Sequence, residues 1–95
     1  MPSARYDDKR DANEAEIVAA LEGAGATVVR LKWVDLLVGF RGAAYLLEVK
    51  TARGRLNAKQ REQFARWRGA PVIIVRTPEQ ALEAIGAKWQ GQWRR

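Results

Sequence analysis

The stretch that decides the fold is DLLVGFRGAAYLLEVK, residues 35–50. It contains two strongly apolar runs around a short glycine-containing turn, a pattern that predicts a β-hairpin. Asp35 opens the first run, and Glu48 and Lys50 close the second. Because both runs are apolar at nearly every position, we expect both faces of the hairpin to be covered. A covered strand end is a costly place for ionised groups unless they bind something.

The charged residues of this hairpin form a candidate catalytic set. Strand alternation places Glu48 and Lys50 on one face and Leu47 and Val49 on the other, and hairpin pairing can bring the Asp35 carboxylate near that of Glu48. Two adjacent carboxylates attract a hard cation, Mg²⁺ with Mn²⁺ as its substitute, which could also bind the carbonyl of Val49. Such an ion would activate water for attack on a phosphate, assisted by Lys50. The alternative is that Glu48 and Lys50 form a solvated pair on a half-exposed hairpin.

Apolar spacing and capping residues predict the remaining elements. Helices are expected over residues 12–22, 58–67 and 78–86, and further strands over residues 26–31 and 71–76. With the hairpin, the order is α-β-β-β-α-β-α. This order predicts an α/β sandwich with a mixed central sheet of about four strands flanked by helices. We predict a flexible N-terminus over residues 1–10, one folded domain over residues 11–86 and a basic, tryptophan-containing tail over residues 87–95.

Composition limits the chemistry that the 95-residue chain can perform. It has no cysteine and no histidine, which excludes cysteine-based zinc sites, histidine-ligated metals and Ser-His triads. The 17 Lys and Arg exceed the 11 Asp and Glu, and the net charge of +6 favours a polyanionic partner. Neither end carries an apolar run of the length needed for a membrane span or a secretory signal, so we expect a soluble, cytoplasmic protein.

An aspartate followed, after twelve residues, by Glu-Val-Lys on a hairpin resembles the PD-(D/E)XK nuclease superfamily. Within it, NEAEIVAALEGAGATVVR with VDLLVG and YLLEVK is similar to the small archaeal Holliday junction resolvases and to the single-domain VRR-NUC nucleases of phages. The similarity covers roughly residues 11–86. VRR-NUC members usually have proline before the aspartate, whereas this chain has Val34 there, and the resolvases have valine as well. In addition, only LKWV separates the first strand from Asp35.

This resemblance implies a restriction-endonuclease-like fold and a magnesium-dependent DNA endonuclease. Its substrate would be branched DNA, such as a Holliday junction in recombination or repair, in a bacterial, archaeal or phage-infected cell. Asp35, Glu48 and Lys50 would be catalytic, and Asp35, Glu48 and the carbonyl of Val49 would bind the metal. The alternatives are a monomeric nicking or flap-type nuclease and a non-catalytic DNA-binding domain of the same fold.

In these relatives a glutamate on the first helix completes the metal site. At about 100° per residue, Glu14 shares the inward face of Ile17 and Leu21, whereas Glu16 points away from it. Glu14 is therefore the predicted catalytic residue and metal ligand. The alternative is that Glu14 closes a helix-capping box with Asp11.

VRR-NUC relatives also carry a glutamine on the helix after the Glu-Val-Lys motif, and Gln60 matches it as a supporting catalytic residue. Gln60 shares a helix face with Phe64 and Trp67, which we expect to point toward the core. A capping box with Asn57 explains Gln60 about as well.

A basic surface follows the hairpin, along the next loop and helix. The residues predicted to hold DNA phosphates without reading bases are Arg53, Arg55, Lys59 and Arg61. A solvated helix face is the alternative for each of them.

The resolvase resemblance also implies a homodimer, because one active site per chain can cut two symmetry-related strands only through a two-fold axis. Four aromatic residues are candidates for the dimer interface, namely Trp33, Phe40, Trp89 and Trp93.

Overall fold

The structure is a computed structural model that describes the backbone of residues 2–87 and the side chains of residues 13–87. Its helices are α1 (Pro2–Gly23), α2 (Ala58–Arg66) and α3 (Pro78–Ala84). Its strands are β1 (Thr27–Arg30), β2 (Leu36–Phe40), β3 (Ala43–Val49) and β4 (Val72–Val75). The predicted α/β class and element order are confirmed. None of the helices described here is long and apolar enough to cross a bilayer.

The four strands form one mixed sheet in the order β1-β2-β3-β4. The first three strands are antiparallel, and β4 lies parallel to β3. The turn between β2 and β3 consists of Arg41 and Gly42, whose φ angles of 51° and 81° are both positive. Two such residues match the right-handed twist of a hairpin, and glycine adopts this conformation without steric cost. The turn sets the register in which Leu36 pairs with Leu47.

Helix α1 begins at Pro2, ten residues before the predicted start at residue 12. The apolar spacing at Ile17 and Leu21 marks only the part of the helix that packs on the core, so it could not reveal the preceding turns. Asp11 lies inside this helix, and the alternative in which it forms an N-cap with Glu14 is therefore wrong. The flexibility of residues 1–10 stays a prediction. The tail from residue 88 onward, with Trp89 and Trp93, lies outside the described residues.

The core lies between one face of the sheet and the helices α1 and α3. Helix α1 packs against β1 and α3, and α3 packs against β4. Alternate residues of β2 point into this core, where Leu36, Val38 and Phe40 are buried. Phe40 is only 8% exposed, so the expectation that it offers exposed surface for a dimer interface is wrong, while the dimer itself stays a prediction.

Helix α2 connects the parallel strands β3 and β4 and buries none of its residues. It begins at a complete capping box, in which Asn57 accepts from the amide of Gln60 and the Gln60 side chain accepts from the amide of Asn57. Phe64 is half-buried, but Trp67 is 42% exposed at the helix C-cap. The expectation that this face of α2 points into the core is therefore wrong for Trp67.

Candidate active site

The Asp35 and Glu48 side chains meet where the pairing of β2 and β3 ends. The amide of Val49 donates to Oδ2 of Asp35 over 2.8 Å, and the amide of Asp35 donates to Oε1 of Glu48 over 3.3 Å. Each carboxylate thus binds the main chain of the opposite strand, just beyond the last strand pair, Leu36 with Leu47. These reciprocal hydrogen bonds hold the two carboxylates side by side, as the hairpin pattern predicts.

Glu48 is a buried carboxylate on an inner strand. It is 3% exposed, and residues 46–49 of β3 are all buried, so both faces of this strand end are covered. The alternative of a solvated Glu48–Lys50 pair is therefore wrong. Burial is the main cause that raises the pKa of Glu48, and the negative charge of Asp35 raises it further, while Lys50 acts in the opposite direction. A cation between the two carboxylates would relieve this unfavourable charge.

Lys50 and Gln60 complete the set around Glu48. The Lys50 ammonium lies 3.4 Å from Oε2 of Glu48 and donates to Oε1 of Gln60 over 3.1 Å. The Gln60 amide nitrogen donates to Oε2 of Glu48 over 3.1 Å. The capping role of Gln60 is thus confirmed, and the same side chain contacts Glu48 on β3 and Lys50 just after it. Its part as a supporting catalytic residue stays a prediction. The Lys50 side chain keeps 18% exposure, so solvent reaches this group.

Glu14 is buried at 3% exposure and Glu16 is exposed, as the helical phase predicts. However, Oε2 of Glu14 accepts from Nε of Arg30 on β1 over 2.9 Å. Among the described residues no three carboxylates are grouped to hold one metal ion, so the structure does not bring Glu14 together with Asp35 and Glu48.

The remaining two carboxylates still fit Mg²⁺, which commonly uses one or two protein carboxylates, substrate phosphate oxygens and water. Their shared position and the raised pKa of Glu48 are the observations that support this fit. The amide of Val49, rather than its carbonyl, contacts Asp35. Its carbonyl as a metal ligand stays a prediction.

Asn13, a residue that the sequence did not single out, supports the candidate site from helix α1. The Asn13 side chain on α1 donates to the carbonyl of Lys50 over 3.0 Å and to that of Arg76 over 3.5 Å. Because Lys50 and Arg76 follow the parallel strands β3 and β4, Asn13 joins the ends of both strands to α1. Its position four residues before the buried Ile17 was the available signal for an inward side chain.

The basic loop after β3 is held in place by Arg76. Its guanidinium donates to the carbonyls of Thr51 and Gly54 over 2.7 Å and 2.6 Å. An open groove of about 570 Å³ lies there, lined by Ala52, Arg53, Gly54, Arg55 and Arg76. The predicted phosphate-binding residues Arg53, Arg55, Lys59 and Arg61 are all exposed, on this loop and the start of α2. These four exposed cations follow Lys50 within eleven residues of the chain.

Comparisons with protein-family models, with curated proteins and with solved structures found no match to this chain. The resemblance to PD-(D/E)XK nucleases therefore stays a hypothesis carried by the residues themselves.

Proposed function

We propose that this protein is a magnesium-dependent DNA endonuclease with a restriction-endonuclease-like fold. The observation that carries the proposal is the cluster of Asp35, Glu48, Lys50 and Gln60 at one end of the hairpin. Paired carboxylates beside a lysine are the groups that phosphodiester hydrolysis with a hard metal requires. The adjacent cations supply the affinity for a polyanion.

Each residue of the cluster has a proposed part in this reaction. Asp35 and Glu48 would hold Mg²⁺, or Mn²⁺ in its place, and Glu14 would complete the shell if DNA or metal binding brings it nearer. The bound ion would supply Lewis acidity to the scissile phosphate. Lys50 would donate a hydrogen bond to the attacking water or to a phosphate oxygen, and Gln60 would keep the Lys50 ammonium in place.

The substrate that we propose is branched DNA, with the Holliday junction as the leading example and recombination or repair as the setting. A junction offers two symmetry-related strands, so we propose that the protein cuts it as a homodimer. Arg53, Arg55, Lys59 and Arg61 would bind backbone phosphates and orient the branch without reading bases.

A cleavage assay on four-way junction, flap and linear duplex DNA, with Mg²⁺ or with EDTA, tests the proposal. We expect cleavage of branched DNA only with metal, and none by the variants Asp35→Ala and Glu48→Ala. DNA binding by both variants should persist, because the carboxylates repel phosphate and the cations carry the affinity. Full cleavage by the double variant would refute the assignment of the site.

A non-catalytic DNA-binding domain is the second candidate. It is favoured by the absence of any group of three metal-binding carboxylates among residues 13–87. Binding of branched DNA without cleavage of any substrate, in Mg²⁺ and in Mn²⁺, would support this candidate instead.

A further inference from the structure

Two tryptophans form an exposed aromatic patch beside the candidate active site. Trp33 is 36% exposed and Trp67 is 42% exposed, and their ring centroids are 4.7 Å apart. The ring of Phe64 meets Trp33 edge-on at 5.7 Å. We call Trp33, Phe64 and Trp67 the aromatic patch. Exposed rings of this size leave apolar surface available for a ligand.

Although Trp67 is exposed, a hydrogen bond and a close backbone contact restrain its ring. Its indole nitrogen donates to the carbonyl of Ala70 over 2.6 Å. Its ring also lies against Gly69, where an added Cβ would come within 2.3 Å of the ring carbon Cζ2. Only glycine leaves room for this ring position. A ring fixed in advance loses little conformational freedom when it stacks on a ligand.

Exposed cations are the sequence neighbours of both tryptophans of the aromatic patch. Lys32 precedes Trp33, and Arg66 and Arg68 flank Trp67, and all three cations are exposed. Only a long contact of 3.9 Å, between two exposed side chains, joins Arg66 to Glu62. Aromatic rings among cations suit a polyanion with flat apolar groups, which describes a single-stranded nucleic acid.

The same cations disfavour a second copy of the chain as the occupant. In a two-fold interface centred on the patch, each patch would face its own equivalent, which would bring Lys32, Arg66 and Arg68 against the same three charges. The segment 88–95 is disfavoured as the occupant for the same reason, because it is cationic as well, with Lys88, Arg94 and Arg95.

The aromatic patch continues the candidate active site along one helix face. Gln60, Phe64 and Trp67 are spaced at i, i+4 and i+7, so they follow one another over about 10 Å from the first turn of α2 to its C-cap. Trp33 lies two residues before Asp35. A base stacked on the patch would therefore belong to a nucleotide close to the one whose phosphate reaches the candidate site at Asp35 and Glu48.

We propose that the aromatic patch stacks on an unpaired base of a DNA strand whose backbone reaches Asp35 and Glu48. The inference rests on the proposed nuclease function for its link to cleavage. Within branched DNA it predicts a strand that is unpaired at the branch, which a flap offers directly and a four-way junction offers only where base pairs open. Base stacking itself requires no metal and no catalysis.

The test measures binding of the full chain in EDTA to a short oligothymidylate and to a blunt duplex of the same length. Trp67→Ala should weaken binding of the oligothymidylate by about 5- to 150-fold and leave duplex binding within about twofold. Trp67→Phe should retain most of the affinity. Gly69→Ala, which displaces the ring but keeps every aromatic group and charge, should weaken binding as Trp67→Ala does.

Val29→Ala is the matched control, because Val29 is exposed to a similar extent, 46%, but offers no ring. It should bind both probes as the unmodified chain does. Equal loss of both probes in Trp67→Ala, or unchanged oligothymidylate binding, would overturn the proposal. So would a change from dimer to monomer in Trp67→Ala without loss of oligothymidylate binding. A failure of the nuclease proposal would appear only in the cleavage assay with metal, so the two failures are distinguishable.

Discussion

The side-chain oxygen of Gln60 accepts a hydrogen bond from the Lys50 ammonium over 3.1 Å, so one residue both caps helix α2 and holds the lysine of the candidate site. Gln60→Ala should lower the free energy of unfolding by about 1 kcal/mol through the lost cap. It should also lower cleavage turnover, because Lys50 and Glu48 lose a shared partner. Urea unfolding and single-turnover cleavage measure the two effects.

Asn57→Ala separates the two roles of Gln60. It removes the other half of the capping box and should cost about the same stability, while the contacts of Gln60 with Lys50 and Glu48 remain. Turnover should therefore be nearly unchanged. Equal loss of turnover in Gln60→Ala and Asn57→Ala would mean that Gln60 acts only through the helix.

The two glutamates of α1 should behave differently. Glu14→Gln should lower the free energy of unfolding by about 1 kcal/mol, because the pair with Arg30 loses its charge. If Glu14 binds metal as the resemblance implies, turnover should fall strongly as well. Glu16→Gln, at an exposed position, should change neither quantity. Arg30→Gln is the control that removes the ion pair and keeps the carboxylate. Equal effects of Glu14→Gln and Arg30→Gln on turnover would make the role of Glu14 structural.

The proximity of Asp35 and Glu48 should be visible in the pH dependence of stability without metal. Because the pKa of Glu48 is raised in the folded protein, the folded state binds this proton more tightly than the unfolded state. The free energy of unfolding should therefore fall as pH rises from the ordinary carboxyl range through the raised pKa.

Asp35→Asn removes one cause of that shift and keeps an oxygen acceptor for the amide of Val49. It should lower the pKa of Glu48 and reduce the loss of stability with rising pH. An NMR titration of the Glu48 carboxyl in EDTA, with urea unfolding over the same pH range, is the measurement. An unchanged pKa of Glu48 would show that the two carboxylates lie farther apart in solution.

The loop and helix cations should govern the salt dependence of DNA binding. Each phosphate contact removed from Arg53, Arg55, Lys59 and Arg61 should flatten the log-log slope of affinity against salt by about one unit. Arg41→Ala is the control, since Arg41 is an exposed cation at the opposite end of the hairpin from Glu48. A fourfold alanine variant with the slope of Arg41→Ala would place DNA on another face.

Light scattering at micromolar concentration, with and without junction DNA, tests the proposed homodimer. We expect twice the mass of one chain, because paired cuts at a junction need two sites related by a two-fold axis. A strict monomer in both conditions would exclude symmetric resolution. The nicking or flap-type nuclease would then be the better proposal.

Short-range sequence signals made the secondary structure predictable from the sequence. The apolar runs with a glycine turn gave β2 and β3, Asn57 with Gln60 gave the start of α2, and Thr77 with Pro78 gave the start of α3. These signals act between residues a few positions apart. The proximity of Asp35 and Glu48 could be predicted in the same way, because a two-residue turn determines which residues of a hairpin face each other.

Tertiary packing determined the side-chain partners and exposures that local sequence spacing could not predict. Glu14 pairs with Arg30, and Asn13 donates to the carbonyls of Lys50 and Arg76, and all three of these groups are distant in the chain. The exposure of Trp67 depends on how α2 lies against the sheet and on the room left at Gly69. Helical phase indicates the direction of a side chain but not what it meets, because the meeting point depends on the arrangement of separate elements.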